Sequence, residues 1–144
     1  MLERFAPKTN PNGPAMTDSI HGLLWARIGR PDRGYAEWRK GWVDFTRHPL
    51  MMFSEKRKSA RTYFATGAGG SLQTVLYGFA GLRLDYKQAT GALWSRPLAG
   101  TRMLSVKPSL PKEWKRVRLR GLTLPDGRYD FDIAAGKVSV TKVQ

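Results

Sequence analysis

The feature that most constrains this chain is a change of rhythm at Gly81. Before it, apolar residues recur every three or four positions; after it, every second position. The first rhythm suits helices with one buried face and the second suits strands with one buried face. Ile20, Leu23, Leu24 and Ile28 fall on one side of MTDSIHGLLWARIG, with Pro14 where a first helical residue would sit. Gly29 and Pro31 end that helix. Pro31, whose φ is preset for a first turn, opens a second helix carrying Tyr35, Trp38, Trp42 and Phe45. The short Gly–Arg–Pro turn between them predicts a helical hairpin. A third helix is expected after the glycines at 67–70, with Leu72, Val75, Leu76 and Phe79 inward.

Beyond Gly81, the segments LRLDY, TRMLSV, KRVRLRGL, YDFDI and GKVSVTKV alternate or are β-rich. Turn signals separate them at Thr90–Gly91, Pro108–Pro111 and Pro125–Asp126–Gly127. The predicted fold class is therefore α+β: helices first, then a small five-stranded antiparallel sheet. Neither half covers itself well. Helices with bulky aromatic faces call for partner helices, and a sheet with one apolar face calls for a second layer. Trp114, in LPKEW, reads as an anchor for the β unit, while Asp130 and Asp132 alternate with Tyr129, Phe131 and Ile133 onto the exposed strand face.

Two stretches invite a functional reading. TRHPLMMFSEKRKSARTYFAT, residues 46–66, is a long irregular segment, and such loops are often functional. It holds Glu55 beside Lys56, Arg57 and Lys58; flanking cations favour an ionised carboxylate, as a general base requires. By itself Glu55 reads first as a surface residue paired with lysines. The glycines Gly67, Gly69 and Gly70 stand where a loop enters a helix, a place whose free N–H groups attract anions and hydroxyls. Their spacing fits neither a phosphate-binding P-loop nor a dinucleotide fingerprint. The competing explanation is a tight turn with close backbone packing.

Other chemistry is largely excluded. Without cysteine there is no disulfide, thiol nucleophile or thiolate metal site, and His21 and His48 are too few for a metal centre. No cofactor is expected. The amino-terminal residues lack the basic and apolar regions of a signal peptide, which leaves the compartment open between cytoplasm and periplasm. The most apolar window, residues 64–84, is broken by glycines and closed by Arg83, so no membrane span is expected. A net charge of +14 raises nucleic acid or an anionic surface as partners. The basic residues, however, run from Arg4 to Lys142 without a helical stripe, which speaks for a solvated basic surface.

Four segments in order, NPNGPAMTDSIHGLLWARIG, FSEK, FATGAGGSLQTVLYGFAGLRL and PSLPKEWKRVRLRGL, resemble the C-terminal part of glycoside hydrolase family 65. The match runs from about residue 5 to the end; TGAGG-x-LQ-x-VLYG and LP-x-x-W are its most specific elements. The family contains α-glucosidases, acid trehalases and α-glucoside phosphorylases. The resemblance implies that residues 1–80 are the last helices of an incomplete (α/α)6 barrel and 81–144 a C-terminal β domain. It implies an inverting mechanism, in which a carboxylic acid protonates the glycosidic oxygen while water or phosphate attacks the opposite face. Phe53–Ser54–Glu55 falls on the family's aromatic-x-Glu element, so the resemblance implies Glu55 as general base, although the family more often carries Trp where Phe53 stands. It also implies that Phe53, Thr66, Gly67 and Gly69 line the substrate site.

The phosphorylase branch holds phosphate with a His near the start of this last helix. Residues 66–71 contain none, and a carboxylate at Glu55 would repel phosphate, which favours hydrolysis. The expected substrate is a trehalose- or kojibiose-type α-glucoside. The family's general acid has no counterpart here, so the chain alone is expected to be inactive and to work with the chain that carries the rest of the barrel. A phosphorylase, or a non-catalytic basic binding module, is the alternative.

Overall fold

The computed structural model describes residues 1–59, 63–86, 102–124 and 127–143. A short helix α1 (Leu2–Phe5) and a 3₁₀ turn (Ala6–Lys8) precede the helical hairpin of α2 (Ala15–Arg27) and α3 (Pro31–Val43). Pro31 begins α3 as expected, but Pro14 is the extended cap before α2 rather than its first residue. The end of α2 is a Schellman motif. Gly29 has φ +80°, its N–H reaches Ala26 O at 3.1 Å, and Arg30 N–H reaches Trp25 O at 2.9 Å. Helix α4 (Ala65–Gln73) runs parallel to α2 and widens into a π-helical turn over Thr74–Phe79.

The buried face of α2 is not the apolar one. Ile20, Leu24 and Ile28 are 52%, 39% and 55% exposed, while Ala15, Asp18, Ser19, Gly22, Trp25 and Ala26 are buried. Small residues at three- and four-residue steps let backbones approach, and here that outweighs burying the branched side chains. A Cβ on Gly34 of α3 would lie 2.7 Å from Gly22 O, and one on Gly70 of α4 would lie 3.1 Å from Ser19 Cβ. Thr74 donates to Ser19 O at 2.8 Å, and Trp38 Nε1–H donates to Ser71 O at 3.1 Å. Leu72, expected inward, is 64% exposed for the same reason, and Phe79 is fully buried as expected. The clustered glycines are helical residues of α4, not a loop ahead of it; Gly67 and Gly70 face its neighbours and Gly69 faces outward.

The segment after α3 is less irregular than its sequence implies. Strands β1 (Thr46–Arg47) and β2 (Met52–Phe53) form a small antiparallel hairpin. After Gly81, whose φ of +70° turns the chain out of the helix, the strands follow at the expected places: β3 (Leu82–Tyr86), β4 (Arg102–Val106), β5 (Arg116–Leu124), β6 (Gly127–Ala134) and β7 (Lys137–Val143). They do not form one five-stranded sheet. Among the described residues β3 pairs with β4 alone, and β5–β6–β7 make a separate antiparallel sheet with a bulge between Leu119 and Leu122. The expected turns at Thr90–Gly91 and Pro125–Asp126 lie outside the described residues.

The β core joins Phe131 and Ile133 to Leu82 and to Ala80 at the helix end. Trp114 anchors the β unit as expected. Its ring meets Phe79, Trp38 and Tyr35 edge-on, with centroids 5.0, 5.5 and 5.8 Å away. Asp32 Oδ1 accepts Lys112 N–H at 2.8 Å beside it. On the outer face, Asp132 pairs with Arg116 and Arg118, which holds its carboxyl below the usual range. Asp130 is half-buried and accepts the Gly121 N–H of the bulge at 2.7 Å.

Candidate active site

Local hydrogen bonding brings the aromatic-x-Glu segment to the start of α4. Phe64 N–H donates to Phe53 O at 2.8 Å, fastening β2 to the cap residue of that helix. Gly67 is buried at this junction. A Cβ there would lie 3.0 Å from Ala15 Cβ, 3.1 Å from Phe64 Cδ1 and 3.2 Å from Phe53 Cδ1. Phe53 and Gly67 are thus direct neighbours, and Gly67 is needed for close packing. Thr66 and Gly69 lie on the exposed side of the same turns, and nothing stands within 4 Å of a Cβ at Gly69. Among the five expected site residues, Glu55 is exposed in the bend after β2.

The bend is held from both sides. Ser54 is buried, its N–H reaches Phe45 O at 2.8 Å, and its hydroxyl lies 3.1 Å from Phe45 O and 2.8 Å from Lys56 O. On the other side, Lys58 N–H reaches Asp44 O at 2.9 Å. Arg47 of β1 adds Nε–H to Ser59 O at 3.0 Å and Nη2–H to Asp44 O at 2.9 Å.

Arg57 is the residue sequence reasoning undervalued. Counted there as one of three cations beside Glu55, it pairs instead with Asp18 of α2 and with Asp44 at the end of α3, at 2.5 and 2.9 Å. Burial pushes the Asp18 carboxyl up; the hydrogen bond and charge of Arg57 pull the other way without cancelling it. Partners 39 and 13 residues away carry no local pattern; the one available hint was an Asp among Ala15, Ser19 and Gly22 on one helix face.

A cavity of about 610 Å³ lies beside this ion-pair network, lined among others by Asn10, Asp18, His21, Arg33, Glu37 and Arg57. None of the five expected site residues lines it. Among the described residues, no group of three or more His, Asp or Glu is placed to hold a metal, and no helix is long and apolar enough to cross a membrane.

Comparison with known proteins places this sequence in a class. No protein-family model matches the chain. It is 35% identical to the kojibiose hydrolase of Flavobacterium johnsoniae over 109 residues, which is 76% of this chain and 14% of that protein. It is 33% identical to the protein-glucosylgalactosylhydroxylysine glucosidase of Mus musculus over 141 residues, 97% of this chain and 18% of that protein. A cell wall acid trehalase of Arthroderma benhamiae is 31% identical over 93 residues, 58% of this chain. All three are glycoside hydrolases. The chain belongs to glycoside hydrolase family 65. It spans less than a fifth of the length of the relatives it matches.

Proposed function

We propose that this chain supplies the general-base half of an inverting α-glucoside hydrolase. The observation that carries the reading is the fastening of Phe53–Ser54–Glu55 to the start of α4 through the Phe53–Phe64 hydrogen bond, in a chain similar to a kojibiose hydrolase. Glu55 takes a proton from water as that water attacks the anomeric carbon. Thr66, Gly67 and Gly69 shape the floor, with Phe53 beside it. The general acid comes from a part of the enzyme outside these 144 residues, with the two carboxyls about 6.5–9.5 Å apart to admit the water. By itself the chain does not turn over substrate.

Residues 1–80 are then barrel helices and 81–144 a C-terminal β domain. The exposed stripe of Ile20, Leu24 and Ile28 supports this, because it is a face that further helices would cover. The substrate is an α-glucoside of the kojibiose or trehalose type.

The test is Glu55→Gln in the catalytically complete enzyme, with kojibiose as substrate and the anomer of the released glucose followed by NMR. The expected result is initial release of the β-anomer and a fall in kcat of about 10²–10⁴-fold. Retention of kcat by Glu55→Gln would refute the base assignment. Phosphate-dependent release of a sugar phosphate would move the enzyme to the phosphorylase branch. Turnover by the isolated 144-residue chain, abolished by Glu55→Gln, would refute the need for an acid from elsewhere.

A further inference from the structure

We infer that Arg57 is the positioning residue for Glu55, acting with Asp18 and Asp44; this rests on the reading of Glu55 as general base. A base must be held within a few tenths of an ångström of its productive place, yet Glu55 sits in a bend without regular secondary structure. Backbone N–H groups of Ser54 and Lys58 tie the bend to Phe45 and Asp44, just past the end of α3. Arg57 adds the connection to α2 and to the amino-terminal loop.

Each nitrogen of its guanidinium makes a hydrogen bond. Nη2–H donates to Asp18 Oδ2 at 2.5 Å, Nη1–H to Asp44 Oδ2 at 2.9 Å and to Lys40 O at 3.5 Å, and Nε–H to Pro11 O at 3.1 Å. The group also lies 4.9 Å from the centre of the Phe45 ring. One side chain thus joins the amino-terminal loop, α2 and α3 to the bend, two residues from Glu55. With side-chain exposures of 20% for Arg57 and 13% for Asp18, the pair is screened far less than a surface bridge. A lysine in this place would supply one point charge where the planar fork reaches several acceptors at once.

If Arg57 only held the fold together, its loss would lower stability and leave the folded enzyme's chemistry unchanged. If it positions Glu55, the reacting geometry loosens, kcat falls and KM barely moves, because Arg57 hydrogen-bonds none of the residues assigned to substrate binding. The cavity of about 610 Å³ that Arg57 lines gives a small cation room to enter once the side chain is truncated.

The experiment measures kcat and KM for kojibiose in the complete enzyme carrying Arg57→Ala, Arg57→Lys, Asp18→Asn, Asp44→Asn or Glu55→Gln, well below each variant's Tm. The first is also assayed with added guanidinium at millimolar concentration, too dilute to denature. Expected are a fall in kcat approaching 100-fold for Arg57→Ala, smaller falls for Arg57→Lys and the two Asn variants, near-constant KM, and partial recovery with guanidinium. Unchanged kcat in Arg57→Ala while Glu55→Gln is dead would overturn the positioning role and leave the base assignment standing. An active Glu55→Gln would overturn both. Should Arg57→Ala fail to fold, unchanged kcat in both Arg57→Lys and Asp44→Asn would overturn the positioning role equally.

Discussion

Replacing Gly34 by alanine tests the claim that α2 and α3 are held by backbone contact rather than by interlocking apolar side chains. The added Cβ would lie 2.7 Å from Gly22 O and 3.0 Å from Ala26 N, against an ordinary contact of at least 3.4 Å. Both obstacles are main-chain atoms of a helix, so no side chain can swing aside. The helices would have to separate by roughly 0.7 Å, and a gap of that size forfeits a quarter to a half of each contact along the crossing. Overpacking of this kind costs about 1–3 kcal/mol, with a backbone obstacle at the upper end. Alanine returns about 1 kcal/mol of helix propensity. The net loss is about 2 kcal/mol, or a Tm lower by roughly 7 °C in a chain of this size.

Gly69→Ala is the matched control, the same substitution at a helical position where nothing lies within 4 Å of the new Cβ. It should gain about 1 kcal/mol from propensity alone. Thermal and urea unfolding followed by circular dichroism would measure both. Equal effects from the two substitutions, or a stabilised Gly34→Ala, would refute the backbone-contact account.

Trp114→Ala should cost about 3 kcal/mol, because it removes the ring that meets Phe79, Trp38 and Tyr35. A loss under about 1 kcal/mol in urea unfolding would mean that the β unit is held to the helices by something else. The raised carboxyl of Asp18 fixes the sign of a pH effect. The folded state holds that proton more tightly than the unfolded state, so the contribution is full below the ordinary value of 3.8 and is lost as pH rises through the elevated one. Wild type should therefore lose stability relative to Asp18→Asn as pH rises from 3.8 through the elevated value. A difference growing in wild type's favour over that range would mean that Arg57 outweighs burial.

Much of the architecture was legible in the order of residues. The change of rhythm at Gly81, the hairpin opened by Pro31, the five strand segments and the role of Trp114 all depend on local spacing or on a bulky residue at a junction, and all are observed. For the candidate site, the family resemblance singled out Phe53–Ser54–Glu55 and the glycines, and the fold brings Phe53 against Gly67. The support behind that motif could not be read in advance.

Tertiary structure decided which face of α2 goes inward, how the strands divide between two sheets, and what Arg57 does. An apolar period says that a helix has two faces, but not whether a neighbour comes close enough to prefer Ala15, Ser19, Gly22 and Ala26 over Ile20, Leu24 and Ile28. Strand alternation gives the pleat and leaves the pairing partner open. In the run Lys56–Arg57–Lys58 the three cations look alike, and only the arrival of Asp18 and Asp44 from distant helices sets one apart. Local periodicity is written in the order of residues, whereas close approach and ion pairing depend on distances that exist only once the chain has folded.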